Sequence, residues 1–306
     1  MAILLSHKQA VTYIEYAKIV KADERVGIVK ESAGCAKTFS LPYGNMAVLL
    51  LGPGTSITQS AMHHLCSEGV LVGFTGGEGY PIFCGSLSEY RPTEYAQAWI
   101  QKWSQSPAWQ LNVARLFQRQ RVDLVNKTWA SYDFLPPSAC ERAAHAGTLL
   151  IQNQARASSK EDLLGFEAVY AKALYAALSH AYAVPFTRAP KAKPDLVNKL
   201  IDSHNYYAYG IAGAVLWTLG IPFAFPVLHG NTRRGALVFD VADIIKDGIL
   251  LPLAFESAKS NTDTQKHKKI CADKLHLDSA TVLLFTALKK ALGIPIHAAP
   301  LFLPHK

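Results

Sequence analysis

A run of fifteen residues, His229 to Asp243, carries side chains suited to holding a divalent cation beside a phosphate group. The run reads HGNTRRGALVFDVAD and contains one imidazole, two arginines and two carboxylates. Imidazole nitrogen and carboxylate oxygen are ligands for divalent metals, and guanidinium groups make forked contacts with phosphate. The segment therefore indicates chemistry on a phosphodiester.

The two carboxylates of this run, Asp240 and Asp243, have two interpretations. They lie three residues apart at the start of a helix predicted over 241–260, so they share one face, which Asp247 extends by another turn. Acids in a first turn can simply stabilise the helix through its dipole. The apolar residues on both sides indicate burial instead, and buried carboxylates need a compensating cation. That context argues against the dipole interpretation and leaves a catalytic or metal-binding role open.

The other polar residues of the run also have two interpretations. His229 ends an apolar stretch, where a histidine is either a hydrogen-bonded core residue or a metal ligand. Gly230 and Gly235 would let the loop fold back and bring imidazole and carboxylates together. Arg233 and Arg234 are either ordinary surface charges or residues that hold a phosphate.

Glu167 is a candidate acid outside this run. It lies in a predicted helix over 161–182, sixty-two residues before His229, and is flanked by apolar side chains. Such an acid either faces solvent or supplies a third ligand, and sequence spacing alone does not decide between the two.

The elements that must position these residues fall into two regions. Short β-rich segments predict strands over 11–17, 26–30, 47–51 and 70–75, with a helix over 57–67. Apolar spacing near 3.6 then predicts helices over 94–104, 108–129, 139–152, 161–182, 194–219, 241–260 and 278–292. The fold class is therefore α+β, with a small N-terminal β-rich domain (1–88) followed by a larger all-α C-terminal domain (89–306).

Composition narrows the partners and the compartment. Half of the 306 residues are hydrophobic, and 31 basic against 23 acidic residues give a net charge of +8. A basic excess suggests a polyanion, and nucleic acid is favoured over membrane because no apolar run reaches spanning length. No signal peptide is expected, and a cytoplasmic protein is predicted. The 5 cysteines lack any C-x-x-C pair, so neither a disulfide framework nor a cysteine zinc site is expected.

Basic clusters and tryptophans would together allow a nucleic-acid surface, although each cluster alone is typical of a solvated face. The residues in question are Arg115, Arg119, Arg121, Lys191, Lys193, 266–269, Trp99, Trp103, Trp109 and Trp129.

Three distant segments carry a family resemblance. LLGPGTSIT at 50–58, Glu167, and the His229 to Asp243 run together resemble the CRISPR-associated integrases called Cas1, over nearly the whole chain. SEYRPTEY at 88–95 and LHGNTRRG at 228–235 resemble the type I-F branch in particular. One departure is modest: Ala168 follows Glu167 where many relatives have glycine.

The resemblance implies a set of roles. The family's metal triad falls on Glu167, His229 and Asp243, with Asp240 as a supporting catalytic acid. Mg²⁺ or Mn²⁺ is the expected ion, because the ligand set mixes oxygen with imidazole. Arg233 and Arg234 are expected to contact DNA phosphates. The implied activity is metal-dependent DNA integration and cleavage, in which new spacer DNA enters a CRISPR array by transesterification.

The resemblance also implies partners. The N-terminal domain would dimerise, and the homodimer would bind double-stranded DNA, both prespacer and CRISPR repeat. It would work with a second adaptation protein, which in type I-F is fused to the helicase-nuclease. Two alternatives stay open: a non-catalytic DNA-binding scaffold whose acids are structural, and a metallohydrolase acting on small nucleotides.

Overall fold

The structure is a computed structural model, and it describes residues 10–32, 35–75, 82–84, 94–189, 195–230 and 235–294. Within these ranges, the N-terminal region contains eight strands and one helix. They are β1 (Ala10–Ile14), β2 (Lys18–Ala22), β3 (Arg25–Ser32), β4 (Cys35–Ser40), β5 (Met46–Leu51), β6 (Ser56–Ile57), α1 (Gln59–Ser67), β7 (Leu71–Phe74) and β8 (Ile82–Cys84).

The strands form two four-stranded sheets. The first has the order β1-β5-β7-β8, in which β5 is parallel to both neighbours and β8 is antiparallel to β7. The second has the order β4-β3-β2-β6 and is antiparallel except for the short β2–β6 pair. The predicted strands correspond to β1, β3, β5 and β7, while the sequence prediction missed β2, β4, β6 and β8.

Strand β5 joins the N-terminal region to the rest of the core. All six of its residues, Met46–Leu51, are buried, as expected of a central parallel strand covered on both faces. Leu49 packs in a cluster with the second sheet and α1. Leu50 packs in the large core formed with the helices. The strand thereby holds the two regions together.

The remainder of the described chain is helical. Its helices are α2 (Glu94–Gln105), α3 (Pro107–Trp129), α4 (Pro137–Gln154), α5 (Lys160–Tyr182), α6 (Leu196–Thr218), α7 (Ala236–Ile245), α8 (Leu251–Lys259), α9 (Thr264–Leu277) and α10 (Ala280–Leu292), with a π-helical turn (Lys246–Leu250) between α7 and α8. The predicted fold class, a small β-rich region followed by a larger helical one, is confirmed. The predicted boundary at 88/89 lies outside the described residues.

Two helix predictions differ from the structure. Helix α9 was missed, because its sequence is mostly polar and carries few apolar residues at helical spacing. The single helix predicted over 241–260 begins five residues earlier, at Ala236, and widens into the π-helical turn before α8. A π-helical turn has i→i+5 hydrogen bonds and more residues per turn than an α-helix. A search for apolar residues spaced at 3.6 per turn therefore does not detect it.

No helix in the described part of the chain combines the length and the apolar character needed to cross a membrane.

The tryptophans of the predicted nucleic-acid surface have another role. Each donates its indole N–H to a main-chain carbonyl, Trp99 to Phe225 at 3.1 Å and Trp103 to Pro226 at 2.6 Å. These two indoles therefore anchor the loop that leads to His229.

Candidate metal centre

Four segments meet at the candidate site: α3, α5, the loop that ends at 230, and α7. Gly235, with a φ of 71°, precedes the first residue of α7 and turns the chain into that helix. Asp240 and Asp243 consequently lie well inside α7, whose first turn contains no acid. The interpretation of these carboxylates as helix-start residues that complement the dipole is wrong.

Asp240 is buried and fully engaged by the loop that carries His229. Its Oδ2 accepts hydrogen bonds from the main-chain N–H groups of Val227 (2.7 Å) and Leu228 (3.1 Å). Its Oδ1 accepts the N–H of His229 at 3.0 Å and lies 2.7 Å from Nδ1 of the same residue. One carboxylate therefore fixes both the course of the loop and the orientation of the imidazole.

The structure brings Glu167, His229 and Asp243 together. One ligand atom from each lies within 4.8 Å of the other two. Nε2 of His229 is 4.0 Å from Oδ2 of Asp243, and all three side chains are partly buried. Since Nδ1 of His229 faces Asp240, Nε2 presents its lone pair to the two carboxylates when the ring is neutral. The triad lines a small cleft.

The charges in the cleft shift the pKa values of its residues. Burial acts to lower the pKa of His229, but the hydrogen bond to Asp240 and the charges of Asp243, Asp240 and Glu167 outweigh it and raise the pKa. Burial acts to raise the pKa of Asp243, but the charges of Lys246, Arg121 and His229 prevail and lower it to about 2. Asp243 is therefore a carboxylate across the physiological range.

Arg121 is a site residue that the sequence prediction placed on a solvated face. It is 3 % exposed, and its Nη1 lies 2.7 Å from Oε1 of Glu167. Its Nε donates to Oδ2 of Asp247 at 2.7 Å, and Nη2 contacts the same oxygen. The prediction of a solvated Arg121 is wrong, because its partners lie 46 and 126 residues away and no local pattern reveals them.

Asp247 does not continue the row of site carboxylates that the helical spacing predicted. It is buried behind the guanidinium of Arg121, and the cleft is lined by Asp240 and Asp243 without it. Lys246, which the sequence prediction overlooked, pairs with Oδ1 of Asp243 through its ammonium group. An acid three residues before a lysine on one helix was the only signal for this pair. Arg233 and Arg234 lie outside the described residues.

The chain matches a protein-family model described as "CRISPR associated protein Cas1" over residues 13–288. A "CRISPR-associated endonuclease Cas1" of Pseudomonas aeruginosa (strain UCBPP-PA14) is 38% identical over 305 residues, which covers 94% of each chain. A protein of the same name from Pectobacterium atrosepticum is 36% identical over 94% of this chain and 93% of its own length.

Two solved structures resemble this one in fold. A complex of the protein TtCas1 with DNA superposes with a TM-score of 0.68 at 22% identity, covering 97% of this chain and 98% of that one. A casposase bound to its integration product gives a TM-score of 0.72 at 11% identity, covering 95% and 94%. At these identities the likeness concerns the fold. The family model and the two relatives, which align over nearly the whole chain, confirm the predicted resemblance and make this protein a member of the Cas1 family.

Proposed function

We propose that this chain is a divalent-metal-dependent DNA endonuclease and integrase, which inserts new spacer DNA into a CRISPR array by transesterification. The observation that carries the proposal is the convergence of Glu167, His229 and Asp243, with ligand atoms within 4.8 Å of one another. The names of the relatives, CRISPR-associated endonucleases, support the same activity.

The donor set fits Mg²⁺ or Mn²⁺. The two carboxylates provide the hard oxygen ligands that these ions prefer, and the imidazole adds one borderline nitrogen ligand. Three protein ligands leave positions for water and phosphate oxygens. His229 would bind through Nε2, because Asp240 occupies Nδ1. Asp240 itself is committed to three main-chain N–H groups and the imidazole, so we assign it the role of positioning His229.

When bound, the ion would polarise the scissile phosphate and favour the deprotonated form of the attacking 3′-hydroxyl. In the strand-transfer reaction, the 3′-oxygen of the incoming DNA forms a new bond to phosphorus. The 3′-oxygen of the repeat strand leaves in the same displacement and takes up a proton. With water as the nucleophile, the same exchange of bonds is hydrolysis, which is the endonuclease activity.

The protein's own side chains prepare this site. Glu167, His229 and Asp243 hold the ion, and Arg121 fixes Glu167 by an ion pair of 2.7 Å. Arg233 and Arg234, which lie outside the described residues, are proposed to contact DNA phosphates. Phosphate contacts of this kind position the duplex without reading its sequence.

We further propose the assembly that family membership suggests. The chain would divide into 1–88 and 89–306, dimerise through the first domain and bind double-stranded DNA in the cytoplasm. The DNA complex of TtCas1 and the casposase bound to an integration product support the DNA partner. One chain of a Cas6-RT-Cas1–Cas2 complex is similar in fold to this chain over 35% of its own length, and that complex supports a second adaptation protein as partner. In the type I-F branch this partner would be fused to the helicase-nuclease.

A non-catalytic DNA-binding scaffold is the second candidate, and one observation favours it. Glu167 already pairs with Arg121, and Asp243 pairs with Lys246, so both acids have a cation without any metal. In a scaffold these ion pairs would be purely structural.

Strand transfer and hydrolysis of a labelled prespacer, measured with Mn²⁺ and with a chelator, test the proposal. Asp243→Ala should lose both activities by at least a hundredfold while still binding DNA. Asp123→Asn, which changes an exposed acid on α3, is the matched control and should behave as wild type. Unchanged strand transfer by folded Asp243→Ala would establish the scaffold instead. Turnover of mononucleotides without integration would point to the small-nucleotide metallohydrolase.

A further inference from the structure

A second cluster of metal-ligating side chains lies between α6 and α9. It consists of His204 on α6 and His267 and Cys271 on α9, with one ligand atom from each within 4.8 Å of the others. All three residues are buried, at 1 %, 0 % and 0 % exposure. His267 and Cys271 are four residues apart, which places them on one face of α9. The cluster shares no residue with the cleft described above.

The hydrogen bonding of this cluster is incomplete. Nδ1 of His267 lies 2.9 Å from the hydroxyl of Ser257, and Nε2 lies 3.4 Å from Sγ of Cys271. Neither ring nitrogen of His204 has a hydrogen-bond partner among the described residues. A buried imidazole with two unpaired nitrogens is unfavourable, because it gives up its bonds to water and receives nothing in return. The structure therefore leaves at least one lone pair of His204 free to accept a ligand.

Protonation does not block the imidazoles. Burial holds the pKa of His204 well below its usual range and lowers that of His267 to about 4, so both rings are neutral near pH 7. Burial also raises the pKa of the Cys271 thiol, which is therefore protonated when no cation is near. A metal ion would displace that proton to solvent and bind the thiolate.

We propose that His204, His267 and Cys271 bind one thiophilic metal ion. The ligands are Sγ of Cys271, Nε2 of His267 and one nitrogen of His204. The 3.4 Å between Sγ and Nε2 already suits two ligands of one ion, and one nitrogen of His204 lies within 4.8 Å of the other two ligand atoms. With Nε2 bound to the ion, the proton of the neutral His267 ring would be on Nδ1 and would donate to the hydroxyl of Ser257, 2.9 Å away.

The ligand set and the surrounding charge select the ion. One thiolate and two imidazoles suit Cu⁺ or Zn²⁺ and disfavour Mg²⁺, which prefers oxygen. Lys246 and Arg188 contribute positive potential at His204, and Lys268 does so at His267. A single thiolate neutralises Cu⁺ fully but leaves Zn²⁺ with one excess positive charge. The charge balance therefore favours Cu⁺ over Zn²⁺.

The ion would link two helices that contact the N-terminal region. Helix α6 packs against β5, where Gly210 approaches Val48 and Leu50. Helix α9 reaches β1 through Lys268, whose Nζ is 3.1 Å from Glu15 and 3.7 Å from the ring centre of Tyr13. An ion that joins α6 to α9 would fix the two helices relative to each other, and with them the contacts of α6 with β5 and of α9 with β1. This structural role is separate from the proposed catalysis.

Metal analysis and spectroscopy on the full chain test this inference. Cobalt substitution is informative because a thiolate bound to Co²⁺ gives an intense near-ultraviolet charge-transfer band, and the catalytic triad contains no sulfur. We expect one equivalent of Co²⁺ with this band, and X-ray absorption of the Cu⁺ and Zn²⁺ forms showing one sulfur and two nitrogen ligands. Anaerobic competition titrations with Cu⁺ and with Zn²⁺ separate the two ions, and tighter Cu⁺ binding is the expected result.

Variants assign the signal to the cluster. Asp243→Asn, which alters the cleft, should keep the band, and so should Cys140→Ala, which removes a half-buried thiol on α4. Cys271→Ala should lose the charge-transfer band of the Co²⁺ form, and its affinity for Cu⁺ should be at least tenfold weaker than that of the wild type. Wild-type protein that is folded yet shows no sulfur-ligated Co²⁺, Cu⁺ or Zn²⁺ overturns the inference, as does a folded Cys271→Ala that keeps the band. If Cys271→Ala does not fold, the wild-type spectra decide alone.

Discussion

Oδ1 of Asp240 lies 2.7 Å from Nδ1 of His229, so a buried carboxylate orients the imidazole whose other nitrogen faces Glu167 and Asp243. This arrangement separates two roles among the acids of α7. Asp243 faces the cleft and is available to an ion, whereas Asp240 is occupied by the loop.

Asp240→Asn should therefore weaken metal binding without removing a ligand. Loss of such an orienting partner typically costs about 10–100-fold in metal affinity. The measurement is the Mn²⁺ concentration that gives half-maximal strand transfer, and excess Mn²⁺ should restore most of the activity. Asp243→Asn is the comparison, because excess Mn²⁺ should not rescue a missing ligand. An unchanged Mn²⁺ dependence of Asp240→Asn would contradict the positioning role.

Arg121→Met should strongly destabilise the fold. The substitution removes the buried guanidinium with which both Asp247 and Glu167 pair. Removing one partner of a buried pair costs roughly 3–5 kcal/mol. Urea denaturation measures the loss, and the double variant Arg121→Met/Asp247→Asn should recover part of it. A single variant within 1 kcal/mol of wild type would show that the pair contributes little.

Two glycines on helical segments should respond in opposite ways to alanine. A Cβ at Gly248, in the π-helical turn, would lie 2.9 Å from Cγ of Leu124 and 3.2 Å from Oγ1 of Thr128. Overpacking of this kind costs about 1–3 kcal/mol. A Cβ at Gly165, on α5, would meet nothing within 4 Å, and Gly165→Ala should stabilise by roughly 0.5–1 kcal/mol. Thermal denaturation of both variants measures the difference, and equal melting temperatures would contradict the close approach of α3 to the turn.

The stability of the metal-free protein should fall as the pH drops from about 6.5 towards 4. The pKa of His267 is lowered to about 4, so its ring stays neutral in the folded state while the unfolded chain takes up a proton. One such histidine removes about 1.4 kcal/mol per pH unit across this window. Urea denaturation at several pH values measures the slope. His267→Gln should reduce the slope by about 1.4 kcal/mol per pH unit and leave the contribution of His204, whose pKa burial also lowers. His145→Gln, which changes an exposed histidine on α4, should leave the slope unchanged.

Arg233→Gln and Arg234→Gln together should reduce the salt dependence of DNA binding. Each phosphate contact contributes a slope of about −0.9 to the plot of log affinity against log salt. If both arginines contact the backbone, the double variant should lose nearly two units of slope, measured by fluorescence anisotropy from low to moderate salt. Lys37→Gln, at an exposed position on β4, is the control. An unaltered slope would assign Arg233 and Arg234 to ordinary surface charge.

The sequence predicted the fully buried strand β5 and missed the short or largely accessible strands β2 and β6. Strand β5 is a continuous apolar run, and its six buried residues are what such a run predicts for a central parallel strand. Strand β2 reads KIVKA and is largely accessible, and β6 has only two residues, so neither carries a clear alternating pattern. Pairing with neighbours, rather than local preference, makes these segments strands.

The candidate site was predictable in part for similar reasons. His229, Asp240 and Asp243 lie close together in the chain, so their types and spacing were informative. Glu167 was a candidate acid, but its role as third ligand came only from the family resemblance, since sixty-two residues separate it from His229. Arg121 was misjudged, because burial and its two acidic partners are consequences of how α3 packs against α5 and the π-helical turn. The spacing of residue types along the chain does not indicate contacts between residues that are so far apart in the sequence.

The wide separation of the triad along the chain has a consequence during synthesis. Glu167, on α5, leaves the ribosome long before His229 and Asp243 have been made. A nascent chain that ends within α6 therefore contains Glu167 but neither His229 nor Asp243, so it lacks the set of ligands for an ion. The proposed nuclease would become competent only after α7 has emerged and packed against α3, so unfinished chains would leave the DNA of their own cell intact.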